Sequence, residues 1–292
     1  MDFEVLSNFL KIAEYQNITK AAQDLHIAQP HLTRQLHNLE EELGVQLFSR
    51  EKKRLHITEE GIFFKQQVKQ ILALTEKTKK QINEMQSEVN GTLYIGSIET
   101  VGNIYLPQWI SDFKNKYPNV KYNLWSGNSN DVIERLDKGL IDLAIVREPF
   151  DNKKFNSWKI SEEKWIVIIN KQHSLAKIKK ALLSLEDLES EEIMVPSQRI
   201  AEIAGWFEKE HLNSNIICGF SPLMNAIVMV ENNLGVAILP ESCKRFIFTN
   251  NIIIKNLSEN KTSTVSIIWK KDNHINHVTK KFLESIKDIF IQ

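Results

Sequence analysis

Between residues 29 and 37 the side chains Gln29, His31, Thr33, Arg34, Gln35 and His37 are interleaved with Leu32 and Leu36 at a spacing that puts the polar groups on one helical face. Amide, imidazole, hydroxyl and guanidinium groups are those that hydrogen-bond to base edges. A helix of about 10–12 Å diameter fits the major groove of B-DNA, where each base pair shows its own donor and acceptor pattern. Thr19, upstream, and Pro30, between Gln29 and His31, join this set to form the candidate base- and phosphate-contacting group. Further on, Ser49-Arg50-Glu51-Lys52-Lys53-Arg54 concentrates Arg50, Lys53 and Arg54 in a tight basic turn, a composition suited to phosphate oxygens.

The elements that must hold these groups can be read from the same region. In the segment Asn17 to Leu25, Ile18, Ala21, Ala22 and Leu25 recur at helical spacing, and the paired alanines let a second helix cross closely. His26-Ile27 breaks the pattern, which resumes from Ala28 with Leu32, Leu36 and Leu39 facing inward. Pro30 is compatible with a helix start, because the first turn has no intrahelical acceptor for the donor that proline lacks. The order of short helix, break, polar-faced helix and basic hairpin predicts a winged helix-turn-helix over residues 1–58.

From Glu59 to Val89 there is no proline and Gly61 is the sole glycine. Thr58 is placed to cap this helix, with Glu59 and Glu60 in its positive first turn. Phe64, Val68, Ile71, Thr75, Thr78, Ile82, Met85 and Val89 follow one another at steps of three and four, a heptad seam. Such a run would extend about 45 Å at 1.5 Å per residue. It is expected to be a linker helix over 59–89 that pairs two chains; the alternative is one helix packed on its own domain.

Past Asn90-Gly91 short apolar runs alternate with amphipathic helices, which is α/β organisation. Strands are expected at 93–96, 120–125, 142–146, 165–170, 193–195, 216–217, 236–239 and 265–269. Helices are expected at 103–117, 129–138, after Ser184, and at 200–211, 222–231 and 277–290. Two similar units joined by crossing strands make a cleft protein over 90–292, one unit holding about 91–162 and 263–292, the other about 163–262. The tryptophans Trp109, Trp125, Trp158, Trp165, Trp206 and Trp269 read as core or cleft walls.

Composition excludes several classes. The 292 residues carry 37 basic and 37 acidic side chains, so any affinity for a polyanion must come from local placement rather than net charge. No apolar stretch approaches the roughly 20 residues that span a bilayer, and Met1-Asp2-Phe3-Glu4 lacks a basic leader, so a soluble cytoplasmic chain without a membrane partner is expected. Cys218 and Cys243 are too few and too distant for a stapled fold or a zinc ribbon, and read as reduced thiols. His274 and His277, with Asp272 near them, lie at a spacing that could touch one metal but read as a solvated helix start. Without a glycine-rich phosphate loop or a nucleophile elbow, no catalytic residue, metal or cofactor is assigned.

The run from Phe3 to Gly61, with Ala21-Ala22, Gln29-Pro30, Leu39-Glu40-Glu41-Glu42-Leu43-Gly44, Leu47-Phe48-Ser49-Arg50 and Thr58-Glu59-Glu60-Gly61, resembles the LysR-type transcriptional regulators. More loosely, Gly91-Thr92-Leu93-Tyr94-Ile95-Gly96, Leu106-Pro107, Tyr117-Pro118, the run Leu136 to Ile145 and Leu234-Gly235-Val236-Ala237-Ile238-Leu239-Pro240 are similar to the regulatory domain of that family. The resemblance implies a winged helix-turn-helix, a linker helix and a two-subdomain regulatory domain like a periplasmic binding protein. It further implies a regulator that binds double-stranded DNA and a small-molecule effector, that dimerises through the linker helix and assembles into a homotetramer, with RNA polymerase as a further candidate partner. Two departures stand out: Ala28 occupies the position of the usual serine cap, a loss of roughly 1 kcal/mol, and His31 occupies that of the usual small residue.

Carried across by position, Thr100 falls where the family often uses Ser or Thr to bind effector, with Ser97 and Glu99 beside it. Gly127-Asn128, Ser197, Arg199 and Phe220 follow or end other strands and are expected to converge on the same cleft. Arg199 would pair with a carboxylate or phosphate, or stand as a surface charge; Glu99 would repel a carboxylate or accept an amine. Two rival functions remain: a regulator that senses oxidants through a thiol, and a metabolite-binding protein or enzyme with no role on DNA.

Overall fold

The computed structural model describes residues 1–51, 54–84, 89–271 and 275–289. The chain forms two compact units, Met1–Gln86 and Ser87–Gln292.

In the first unit α1 (Phe3–Tyr15), α2 (Ile18–Asp24) and α3 (Gln29–Leu43) are followed by the antiparallel strands β1 (Phe48–Glu51) and β2 (Arg54–Ile57) and by α4 (Glu59–Glu84). Local chemistry sets most of the helix ends. Asp2 and Asn17 accept hydrogen bonds from the Val5 and Lys20 amides, capping α1 and α2, while Gly44 closes α3 in the left-handed region at φ 68°. Ala28 begins α3 with no side-chain cap, as the sequence implies. Leu32, Leu36 and Leu39 of α3 pack with Phe9, Ile12, Ala21 and Ala22 in one core. The Glu40 carboxylate accepts from the Leu47 and Phe48 amides at 2.7 and 3.1 Å, tying the end of the α3 region to the start of the hairpin. Thr58 caps α4 through the Gly61 amide, and a Cβ on Gly61 would collide with the Leu47 carbonyl oxygen, so only glycine fits there.

The expected heptad seam is modified. Phe64 and Val68 of α4 fill the core of their own unit, so that part of the seam is not open to a second chain. Ile62, Phe63, Ile71, Leu74 and Ile82 are large apolar side chains of α4 left exposed, while the Thr75 and Thr78 hydroxyls donate back to the Ile71 and Leu74 carbonyls. Met85 lies outside the described residues.

The second unit is built from β3 (Gly91–Ile98), α5 (Glu99–Lys116), β4 (Val120–Gly127), α6 (Ser129–Asp137), β5 (Leu143–Arg147), β6 (Phe155–Asn170), β7 (Leu182–Leu183), α7 (Leu185–Leu188), β8 (Ile193–Pro196), α8 (Ile200–Lys209), β9 (Ile216–Phe220), α9 (Leu223–Glu231), β10 (Val236–Pro240), β11 (Ile252–Leu257), β12 (Thr262–Lys270) and α10 (His277–Ile286). The strand order is β4-β3-β5-β12-β6-β10-β8-β9, with β11 on β6 and β7 on β11. The β3–β4, β3–β5, β8–β9 and β8–β10 pairs are parallel, whereas β6 is antiparallel to β12, β10 and β11.

This topology makes two α/β layers around one shared strand. β6 pairs with β12 up to Lys164 and with β10 from Trp165 on, so a single strand passes from one subdomain to the other. Buried parallel strands carry apolar residues on both faces, and β5 shows this: Leu143 and Ile145 join Trp109, Phe113 and Phe282 on one side, Ala144 and Val146 join Val132 and Leu136 on the other. In the second subdomain Val167, Ile169, Val195 and Ile238 pack under Ile203 and Phe207, while Ile166, Ile168, Met194 and Ala237 pack under Ala226 and Val230.

Three differences from the sequence expectation have physical reasons. β6 starts at Phe155, well before Trp165, because its first half is an alternating, partly exposed stretch rather than an apolar run. β7 and β11 form an extra edge layer on β6 that was not anticipated. The first helix begins at Glu99 rather than Asn103, directly off the end of β3, and the last ends at Ile286 with a 3₁₀ turn, Lys287–Ile289; Phe290 lies outside the described residues.

Candidate nucleic-acid interface and effector cleft

In the first unit the polar face of α3 is exposed at Gln29, Pro30, His31, Arg34 and His37, and Thr19 is exposed on α2. Among the described residues Arg34 makes no hydrogen bond or ion pair, so its guanidinium is available to a ligand. Gln29 and Thr33 hold one another: the Gln29 amide donates to the Thr33 hydroxyl at 2.8 Å and that hydroxyl lies 3.0 Å from the Gln29 carbonyl. Gln35 departs from the expectation. Its side chain is half-buried and its amide oxygen accepts from buried Asn8 at 2.8 Å, so it fastens α3 to α1. The β1–β2 hairpin carries Arg50 opposite Leu55 and Arg54 opposite Glu51 in its register; Lys53 lies outside the described residues.

In the second unit a cavity of about 290 Å³ opens where the ends of β3, β4, β5, β8, β9 and β10 approach one another. Glu99, Thr100, Gly127, Asn128, Arg199 and Phe220 line it, so six of the expected effector residues meet in one place. Ser97 and Ser197 do not. Ser97 is tucked under the first turn of α5 against Gly102, and Ser197 packs against Gly219 of the neighbouring strand.

The residues that join the two subdomains at this cavity were not anticipated. Arg147, last in β5, donates from Nη2 to Glu163 Oε2 at 2.6 Å and to Ser242 Oγ at 2.8 Å, with Thr100 Oγ1 at 3.4 Å. Ser242 Oγ donates in turn to Glu163 at 3.1 Å. Thr100 belongs to one subdomain and Ser242, in the turn after β10, to the other, so one buried guanidinium bridges them. Ser129 accepts from the Arg147 amide at 3.2 Å and adds the start of α6 to the network. A lone arginine ending the apolar run Leu143-Ala144-Ile145-Val146 was the signal available in the sequence; Glu163 sits in the polar half of β6 and gave none.

Trp165 and Cys243 also line the cavity. Cys243 is buried, and burial pushes its thiol up to about 12, with the Glu163 charge adding to the rise and the Arg147 charge opposing it. A redox-sensing thiol needs the opposite, an exposed and stabilised thiolate. Among the described residues no group of three or more His, Cys, Asp or Glu side chains is placed to hold a metal ion, and no helix is long and apolar enough to cross a membrane. His274 and Asp272 lie outside the described residues.

A polar-faced helix on a winged helix-turn-helix and a bilobal cleft on one chain define a DNA-binding regulator with a ligand-binding domain. Matches to known families agree with that class. The model described as "Bacterial regulatory helix-turn-helix protein, lysR family" matches residues 3–62, and that described as "LysR substrate binding domain" matches residues 86–290. The chain belongs to the LysR family of transcriptional regulators. It is 26% identical over 291 residues to the HTH-type transcriptional regulator BsdA of Bacillus subtilis, covering 97% of this chain and 99% of BsdA. It is 30% identical over 241 residues to the HTH-type transcriptional activator CmpR of Synechocystis, covering 81% of this chain and 77% of CmpR. The fold matches the crystal structure of CbnR, a LysR family transcriptional regulator, with TM-score 0.77 at 22% identity and full coverage of both chains.

Proposed function

We propose that this regulator reads DNA with Thr19, Gln29, Pro30, His31, Thr33, Arg34 and the wing cations Arg50, Lys53 and Arg54, and that an effector held by Glu99, Thr100, Gly127, Asn128, Arg199 and Phe220 alters that reading. Gln35 supports the helix from behind. One observation carries the effector half: the cavity is walled by both subdomains, and Arg147 ties Thr100 of one to Ser242 of the other. A ligand that contacts both walls stabilises one relative placement of the subdomains over another, and only such unequal binding can shift an equilibrium. Membership of a family of transcriptional regulators with a substrate-binding domain supports the cleft as a sensor.

Exposed Ile62, Phe63, Ile71, Leu74 and Ile82 on α4 are the surface for pairing with a second copy, which doubles the DNA footprint over two half-sites. Pairs of such dimers would give the tetramer. RNA polymerase is the further partner proposed, since the relative CmpR carries the name of an activator. The test is a mobility shift with a duplex from the chain's own promoter region, run with sedimentation of the free protein. A shifted duplex with paired protected half-sites and a dimer or larger assembly is expected. A monomer that retards no promoter duplex overturns the reading.

A further inference from the structure

Resting on the cleft as an effector site, the charges around it indicate what kind of molecule enters. Among the described residues, the ionised side chains lining the cavity are Glu99, Arg147 and Arg199. Both guanidiniums are already engaged. Arg147 donates twice to the Glu163 carboxylate, and a ligand carboxylate approaching it would meet that like charge. Arg199 donates from Nη1 to Glu202 and from Nη2 to the Glu148 carbonyl, each at 2.6 Å. Of the three, Glu99 alone has no hydrogen bond or ion pair among the described residues, and its charge reaches the cavity wall, where it adds to the rise of the Cys243 thiol. Each guanidinium is thus matched by a carboxylate outside the lining, Glu163 or Glu202, which leaves Glu99 as the lining charge without a counter-ion.

The remaining wall fits the rest of an amine-bearing molecule. Trp165 and Phe220 supply aromatic surface, on which a cation is also favoured. At the cavity α9 starts with no side-chain cap on its first amides. Those amides call for an acceptor on the ligand close to its charged end, since Glu99 and Leu223 of α9 also line one hollow.

We propose that the effector is an organic amine, a cation or a zwitterion such as an amino acid, whose ammonium or guanidinium group pairs with Glu99 while an acceptor group faces the start of α9. The pairing sets specificity by charge: a bare carboxylate of the same shape would leave Glu99 facing a like charge.

The experiment is thermal melting of the full chain with two sets of probes: the amino acids, putrescine, agmatine and phenethylamine in one, and benzoate, succinate and citrate in the other. At least one amine should raise the melting temperature of the wild type, and Glu99→Gln should weaken its binding by at least about tenfold, the loss expected for one hydrogen bond to a charged group. The unliganded variant keeps its fold, since Glu99 is exposed and unpaired. Stabilisation by the carboxylates alone, or an amine response unchanged in Glu99→Gln, overturns the amine assignment and leaves the cleft as the effector site. Silence of both sets overturns the two together.

Discussion

Arg147 and Glu163 meet at 2.6 Å from opposite sides of β12, Arg147 opposite Val265 and Glu163 opposite Ser263 in the strand registers. Their side chains are 11% and 9% exposed, so neither charge has water to fall back on. Two ions taken from water recover that cost only through each other and through added hydrogen bonds, here Ser242 and Thr100. Removing one partner should therefore hurt more than removing both. Glu163→Gln is expected to destabilise the second unit by about 3 kcal/mol, and Arg147→Met combined with Glu163→Leu to recover much of it. Denaturant melts of the single and double variants read the coupling; additive losses would show that the ions do not depend on each other.

The Cys243 thiol gives a pH prediction with a definite sign. Burial holds it at about 12 in the folded chain against 9.0 for a free thiol. The folded state thus keeps a proton that the unfolded chain releases, so the stabilisation is complete below pH 9.0 and declines as pH rises from there towards about 12. Cys243→Ala should remove that part of the alkaline decline when variant and wild type are compared over the same range. At neutral pH Cys243 should also resist iodoacetamide in the folded chain and react once it is unfolded, followed by mass spectrometry. Rapid labelling of the folded protein would restore the thiol-sensor reading.

Much of this fold was legible because its signals are local. Leu32, Leu36 and Leu39 mark the inner face of α3, and the helical period alone places them. The apolar runs of β5, β8 and β10 likewise announce strands buried on both faces. The cleft was half legible: Thr100, Gly127, Asn128 and Phe220 sit at element ends, where sequence punctuation is strong. What stayed hidden depends on contacts between residues far apart in the chain. Glu163 and Ser242 acquire their role only when β6 and the turn after β10 bring them to Arg147. Gln35 looked outward because helical periodicity puts it near the edge of the polar face; Asn8 on α1 decides its direction.

The missing cap on α3 can be restored. Ala28 stands at the cap position with extended backbone, φ −69° and ψ 131°, and no side-chain hydrogen bond reaches the first amides. A serine hydroxyl there would accept one of them. Ala28→Ser should raise the stability of the first unit by about 1 kcal/mol, measured by chemical denaturation. No gain would mean that the helix start is satisfied in another way.

Arg34 and Arg50 should fail differently on DNA, because base contacts specify sequence and phosphate contacts do not. Arg34 is exposed on the face of α3 and has no partner among the described residues, so Arg34→Ala is expected to cost about 1–3 kcal/mol on the operator and much less on unrelated duplex. Arg50 belongs to the basic hairpin, and Arg50→Ala should weaken both duplexes alike while lowering the slope of log affinity against log salt by about one. Fluorescence anisotropy titrations over a salt series separate the two. Equal losses for Arg34→Ala on every sequence would move it to the phosphate contacts, and an unchanged slope for Arg50→Ala would remove the hairpin from them.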